Sequence, residues 1–195
     1  MMFRRTRLTV VAVAALGLLL AGCGGSHDMD DMGMASPSGT SGASAADVMF
    51  AQMMIPHHEQ AVEMADIASD PTVGASQPVT SLAAQIKAAQ DPEIDLMKGL
   101  LTTWAQPLTP DDGADHGSMM KGMLTPQQLD ELATLRGGAF DAAWATAMIA
   151  HHEGAVDMAE DVIADGIHPE IKTLAQTIVA TQQAEIEQLR TLAGG

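Results

Sequence analysis

The 195-residue sequence has no tyrosine, three phenylalanines, two tryptophans, one cysteine, and nine basic residues against 25 acidic ones. A single cysteine, Cys23, excludes a disulfide or a thiolate metal site within the domain. The shortage of aromatics leaves the core to Ala, Leu, Ile, Val and Met, and Ala-rich segments of that kind suit closely packed helices. No alternating run of the kind a half-buried strand requires is found. The shortage of basic residues gives a formal charge of −16. Such a surface repels nucleic acid and anionic lipid headgroups and attracts cations diffusely, so nucleic acid is not expected as a partner. The longest apolar run, Leu8 to Leu20, falls short of the roughly 20 residues of a membrane span.

That run has another use. Arg4, Arg5 and Arg7 precede it and Leu20-Ala21-Gly22-Cys23 ends it, the order of parts in an export signal over residues 1–23. The ending resembles a bacterial lipobox. This implies lipidation of Cys23 and anchoring to the outer, extracytoplasmic face of the cell membrane; ordinary cleavage leaving a free cysteine is the alternative. Removing the signal takes away three of nine basic residues and no acid, moving the formal charge from −16 to −19. Residues 24–46 are rich in Gly, Ser, Ala, Asp and Met and read as a flexible tether. Roughly 150 residues then form one domain, 47–195.

Four long helical patterns fill that domain. Asp47 is the expected N-cap of the first, to about Ala68, and Asp70-Pro71 ends it. The second runs from about Pro78 to Trp104. Asp141 is the expected cap of the third, ending near Gly166, and His168-Pro169 opens the fourth, closed by Gly194-Gly195. A linker, 105–123, and a short helix around Pro126 to Leu135, interrupted by Gly137-Gly138, separate the halves. Pro56 and Pro92 fall inside helices, where local kinks are expected. The halves repeat: Asp47, Phe50, Met54, His57, His58, Glu59, Val62 and Met64 align with Asp141, Trp144, Met148, His151, His152, Glu153, Val156 and Met158. Leu82, Ile86, Gln90 and Glu93 align likewise with Leu174, Ile178, Gln182 and Glu185. A duplicated helical hairpin predicts an all-α, up-down four-helix bundle.

At about 100° per residue, Gln52, Glu59, Glu63 and Asp66 share the polar side of the first helix. His57 and His58 lie on the two flanks of the apolar arc, aimed at different neighbours. Met54, three and four residues earlier, falls beside both imidazoles, and Met64 is two turns beyond His57. The third helix repeats this with Met148, His151, His152 and Met158. Methionine at such spacing is commonly core filling, but four inward imidazoles each carry a donor and an acceptor to satisfy. Glu93 and Glu185 fall within the inward stripes of the second and fourth helices. They can take an imidazole N–H from behind a metal, or reach solvent at the bundle end. Glu59 and Glu153 point outward.

Thioether plus imidazole without thiolate selects a soft monovalent ion, Cu(I), with Ag(I) as mimic. Two low-complexity tracts share this character: His27, Met29, Met32 and Met34 in the tether, and His116, Met119, Met120 and Met123 in the linker. An enzyme with two iron or manganese ions is the competing reading. It needs Glu-x-x-His on two helices, whereas Met54, Ile55, Met148 and Ile149 stand three before the histidines. A metal-free envelope scaffold or partner-binding bundle is the third.

With both HHE-x-A-V-[ED]-M segments and both Ile-x₃-Gln-x₂-Glu-Ile segments, the chain resembles the family catalogued as domain of unknown function 305, over about Asp47 to Leu192. The resemblance implies a ferritin-like bundle, export, no assigned activity for most members, and copper binding through Met and His for some. By motif match the family's characteristic positions fall on Met54, His57, His58, Met64, Met148, His151, His152 and Met158. Ala147 opposite Met53 and Ala150 opposite Pro56 depart from the repeat. The expectation is a lipid-anchored, non-catalytic Cu(I) buffer or carrier in metal tolerance, for which a protein partner in metal transfer is one option.

Overall fold

A computed structural model of the protein describes residues 42–110 and 120–194. They form five helices: α1 (Ala45–Ser69), α2 (Gln77–Thr103), α3 (Pro126–Thr134), α4 (Gly137–Asp165) and α5 (Pro169–Ala193). No strand is present among the described residues, and no helix there is long and apolar enough to cross a membrane. The signal, the lipobox and nearly all of the tether lie outside the described residues.

The bundle consists of α1, α2, α4 and α5. Short loops join α1 to α2 and α4 to α5, so each pair is an antiparallel hairpin, and the hairpins meet chiefly through α1 and α4. Helices α1 and α2 run without interruption through Pro56 and Pro92. Short α3 begins with a capping box, in which Thr125 and Gln128 satisfy each other's backbone N–H groups.

Two expected caps do different work. The N-cap of α1 is Ser44, and Asp47 is the third residue of its capping box. Helix α4 starts at Gly137, a full turn before Asp141. Each carboxylate instead clasps the loop of the other hairpin. Asp47 accepts from the backbone N–H groups of Ile167 (3.2 Å) and His168 (3.2 Å), while Asp141 accepts from Ser76 N–H (3.1 Å). The aspartates are equivalent in the repeat, so one contact is made twice, reciprocally. Loop N–H groups that no helix could satisfy are thereby paired. Burial pushes the Asp47 carboxyl up, but its hydrogen bonds from Ser44, Ile167 and His168 outweigh this and hold it below the usual carboxylate range.

Two apolar clusters fill the interior. One contains Phe50, Met54, Met97, Trp104, Ala159 and Ile178. The other contains Met64, Ile86, Leu132, Trp144, Met148 and Leu189. In every bundle helix the sequence passes from one cluster to the other across a polar interval. That interval holds His57 and His58 in α1, Gln90 and Glu93 in α2, His151 and His152 in α4, and Gln182 and Glu185 in α5.

Candidate metal centre

The polar belt lies at mid-height in the bundle, and its four histidines are almost completely inaccessible. The two imidazoles of each pair diverge. His57 and His151 meet across the α1–α4 interface with ring centroids 3.8 Å apart and planes tilted by 41°. His58 turns to α2, where its Nε2–H donates to Glu93 Oε2 at 2.9 Å. His152 turns to α5 and donates to Glu185 Oε2 at 2.7 Å. Glu59 and Glu153 face outward, beside Lys98 and Arg190 respectively.

Acceptor chemistry fixes the tautomers. A carboxylate has no proton to give, so His58 and His152 carry theirs on Nε2. The Lys121 carbonyl does the same for His57 Nε2 at 3.3 Å. Three Nδ1 lone pairs are left inside the core without a partner, and neither nitrogen of His151 has one. Burial, and next the neighbouring His58, lowers His57 to a pKa of about 3. Burial, and next the repulsion that a second proton would meet from neighbouring His57, hold His151 well below the ordinary range. Both are neutral near pH 7, which is the state that binds a metal ion without first losing a proton.

Beside the imidazoles lie two side chains that the sequence marked only as repeat positions. Gln90 and Gln182 are 2% exposed. Neither Gln90 amide atom has a hydrogen-bond partner, nor has Gln182 Oε1. Each precedes a belt glutamate by one turn on the same apolar stripe, the signal that could have exposed them. Unpaired buried polar atoms are costly and rare, and here they accumulate at one level of the bundle. Among the described residues no three His, Cys, Asp or Glu side chains gather closely enough to hold an ion by themselves. An ion in the belt would therefore need thioether or amide donors besides imidazole.

The methionines flank the belt unequally. Met54, Met64 and Met148 are fully buried. Met158 is half-buried, at the edge of the cluster that contains Met54. Its repeat partner Met64 lies within the other cluster, to which α3 contributes Leu129 and Leu132. His27, Met29, Met32, Met34, His116 and Met119 lie outside the described residues.

The end of the linker is ordered against the belt. Residues 120–124 form a strap across α1 and α4, tied by Gln60 Nε2 to the Leu124 carbonyl (2.8 Å) and by Leu124 N–H to Gln60 Oε1 (2.7 Å). Where the strap meets α4, side chains are excluded. A Cβ on Gly154 would overlap the Lys121 carbonyl, and one on Gly122, at φ +83°, would overlap that of Ala150. Ala147 and Ala150, the two departures from the repeat, line the cleft beside this crossing together with Gly122, Met123 and Leu124. The repeat is broken on the side where the strap lies. The expected polar face of α1 is altered for a similar reason: Gln52 is buried and donates to the Pro107 carbonyl at 2.9 Å.

A comparison with curated proteins gives no match. Solved structures do match. A DUF305 protein from Streptomyces coelicolor, described as secreted, is 34% identical with a TM-score of 0.68, covering 74% of this chain and 89% of that one. A DUF305 fragment from Deinococcus radiodurans is 32% identical with a TM-score of 0.69, covering 78% and 97%. CopM in its Cu(I)-bound form is 32% identical with a TM-score of 0.61, covering 74% and 93%, and CopM has also been solved with Cu(II) and with Ag. The model of the family "Domain of unknown function (DUF305)" matches residues 47–193, and the chain belongs to that family.

Proposed function

We propose that this protein is an extracytoplasmic binder of Cu(I), with Ag(I) as mimic, serving to buffer the ion, pass it on or confer tolerance to it. The carrying observation is the belt: four buried imidazoles with five nitrogens that have no protein partner, His57 and His151 being held neutral. Met54, Met64 and Met148 border this belt from the two apolar clusters and supply thioethers. Such a neutral, soft donor set suits a monovalent ion. Glu93 and Glu185 orient two of the imidazoles from behind and raise their basicity. The copper- and silver-bound forms of CopM, a relative 30–32% identical, support the choice of ion.

No reaction is assigned. A site for two iron or manganese ions would need several carboxylates facing inward, and the belt has two. The signal over 1–23 and the lipid on Cys23 would hold the domain at the outer face of the membrane, where a protein partner could deliver or receive the ion. The Met/His tracts at 27–34 and 116–123 would add loose, auxiliary binding.

The test is a Cu(I) titration against a chromophoric competing chelator, with His57→Ala/His151→Ala and His58→Ala/His152→Ala compared with the parent. Loss of an ion, or at least a tenfold loss of affinity, is expected in each. Parental stoichiometry and affinity in both would sink the proposal.

A further inference from the structure

A solvent-facing cleft of ≈ 340 Å³ opens beside the belt, and four of its lining residues are methionines: Met49, Met53, Met120 and Met158. They come from three separate segments. Met49 and Met53 are one turn apart on α1, Met158 is on α4, and Met120 begins the strap. Met49 is 60% exposed, Met53 and Met158 are half-buried, and Met120 is 8% exposed. Asp161 and Asp165, also one turn apart on α4, line it too, as does Lys121, whose ammonium is paired with Asp157.

We propose that this cleft is a second soft-cation site, built of thioethers alone, that takes Cu(I) or Ag(I) from solvent outside the imidazole belt. Thioether sulfur is neutral and polarisable, needs no deprotonation, and binds monovalent soft ions. Four methionines from three segments meet at one solvent-facing cleft, where Met49 and Met53 have no enclosed core to fill. The rim carboxylates favour a cation over an apolar guest, since a cleft for an apolar guest gains nothing from charge beside it. The methionine cluster is not repeated in the other half of the bundle: Met49 and Met53 align with Ala143 and Ala147, which line a cleft with one methionine, Met123, and Met64, the partner of Met158, is enclosed. The strap joins the two sites. Met120 lines the cleft, and the carbonyl of the next residue, Lys121, accepts from His57 Nε2. An ion held at the cleft is one residue of strap away from the belt.

The identity of the ion rests on the proposed function, but the site residues Met49 and Met53 are not belt residues, so the two can fail separately. The experiment uses residues 24–195, which span the whole region shared with separately solved family members, with Met29, Met32, Met34 and Met119 changed to Leu to silence the two tracts. Ag(I), which is diamagnetic, is titrated while the methionine ε-methyl resonances are followed by NMR. Binding at the cleft moves the Met49, Met53, Met120 and Met158 methyls. The volume-conserving variant Met49→Leu/Met53→Leu then binds one equivalent fewer, with the Met54, Met64 and Met148 methyls responding as in the parent. Unmoved Met49 and Met53 methyls, or full stoichiometry in the variant, overturns the cleft site while leaving the belt intact. Absence of any Ag(I) binding overturns both sites.

Discussion

Acidifying the metal-free protein from pH 7 to pH 5 should destabilise it through His57. In the unfolded chain this imidazole titrates near its ordinary value of 6.5, whereas burial holds it at about 3 in the fold. Its contribution to stability is therefore complete above 6.5 and is lost as the pH falls from there towards 3, because only the unfolded state takes up the proton. At pH 5 the loss is about 2 kcal/mol, and any folded value below about 4 gives nearly the same figure. His151, lowered in the same direction by burial and by His57, adds to it. The Asp47 carboxyl, also lowered in the fold, acts in a separate window, giving stability that is lost as the pH drops below about 4. Urea unfolding followed by tryptophan fluorescence suits the measurement, since Trp144 and Trp104 are 0% and 4% exposed. The midpoint should fall steadily between pH 6.5 and 5 and do so less in His57→Gln/His151→Gln. A flat profile in the parent, or an undiminished slope in the variant, would refute the assignment of that loss to these two imidazoles.

Other perturbations have defined outcomes. Gly154→Ala would ordinarily gain about 1 kcal/mol in a helix, but here the new methyl meets the Lys121 carbonyl and lies 3.3 Å from His57 Nε2. A net loss of about 1–3 kcal/mol is expected from the urea midpoint. Asp47→Ala removes the acceptor shared by Ser44, Ile167 and His168 and should cost about 1.5–3 kcal/mol. Trp144→Phe leaves the Met64 carbonyl without its 2.9 Å donor; a loss of about 1–3 kcal/mol in thermal or urea unfolding is expected. Glu93→Leu/Glu185→Leu should weaken Cu(I) binding by about 10- to 100-fold in chelator competition. The Gln versions, which can still accept the imidazole N–H, should retain most of the affinity.

Some of this organisation was written locally. Helical periodicity and the prolines at helix starts place α1, α2 and α5 within a few residues of their observed ends, because the signals that begin and end a helix lie within a turn of it, whereas α4 starts a full turn before its expected cap Asp141. The internal repeat predicts two hairpins, and periodicity alone sends His57 and His58 to different neighbours. The caps were harder to place. Asp47 and Asp141 have the right chemistry for a cap, but their oxygens go to the opposite hairpin's loop, a destination that neither helix's own sequence encodes.

Amino-acid sequence by itself determines the helices, their apolar faces, the duplication, and the pairing of imidazole with thioether at matching positions in the two halves. Tertiary structure decides who meets whom. It sets His57 against His151, buries the Gln90 amide and Gln182 Oε1 without partners, and gives Gln52 and Gln60 to backbone groups of the linker. It also leaves Met158 half-buried while Met64 is enclosed, and sets Met49, Met53 and Met120 beside Met158 at one cleft. Periodicity fixes which side of a helix faces inward. Which residue waits there depends on a chain segment distant in sequence, and the two matching halves are made unequal by the strap and α3 that run between them.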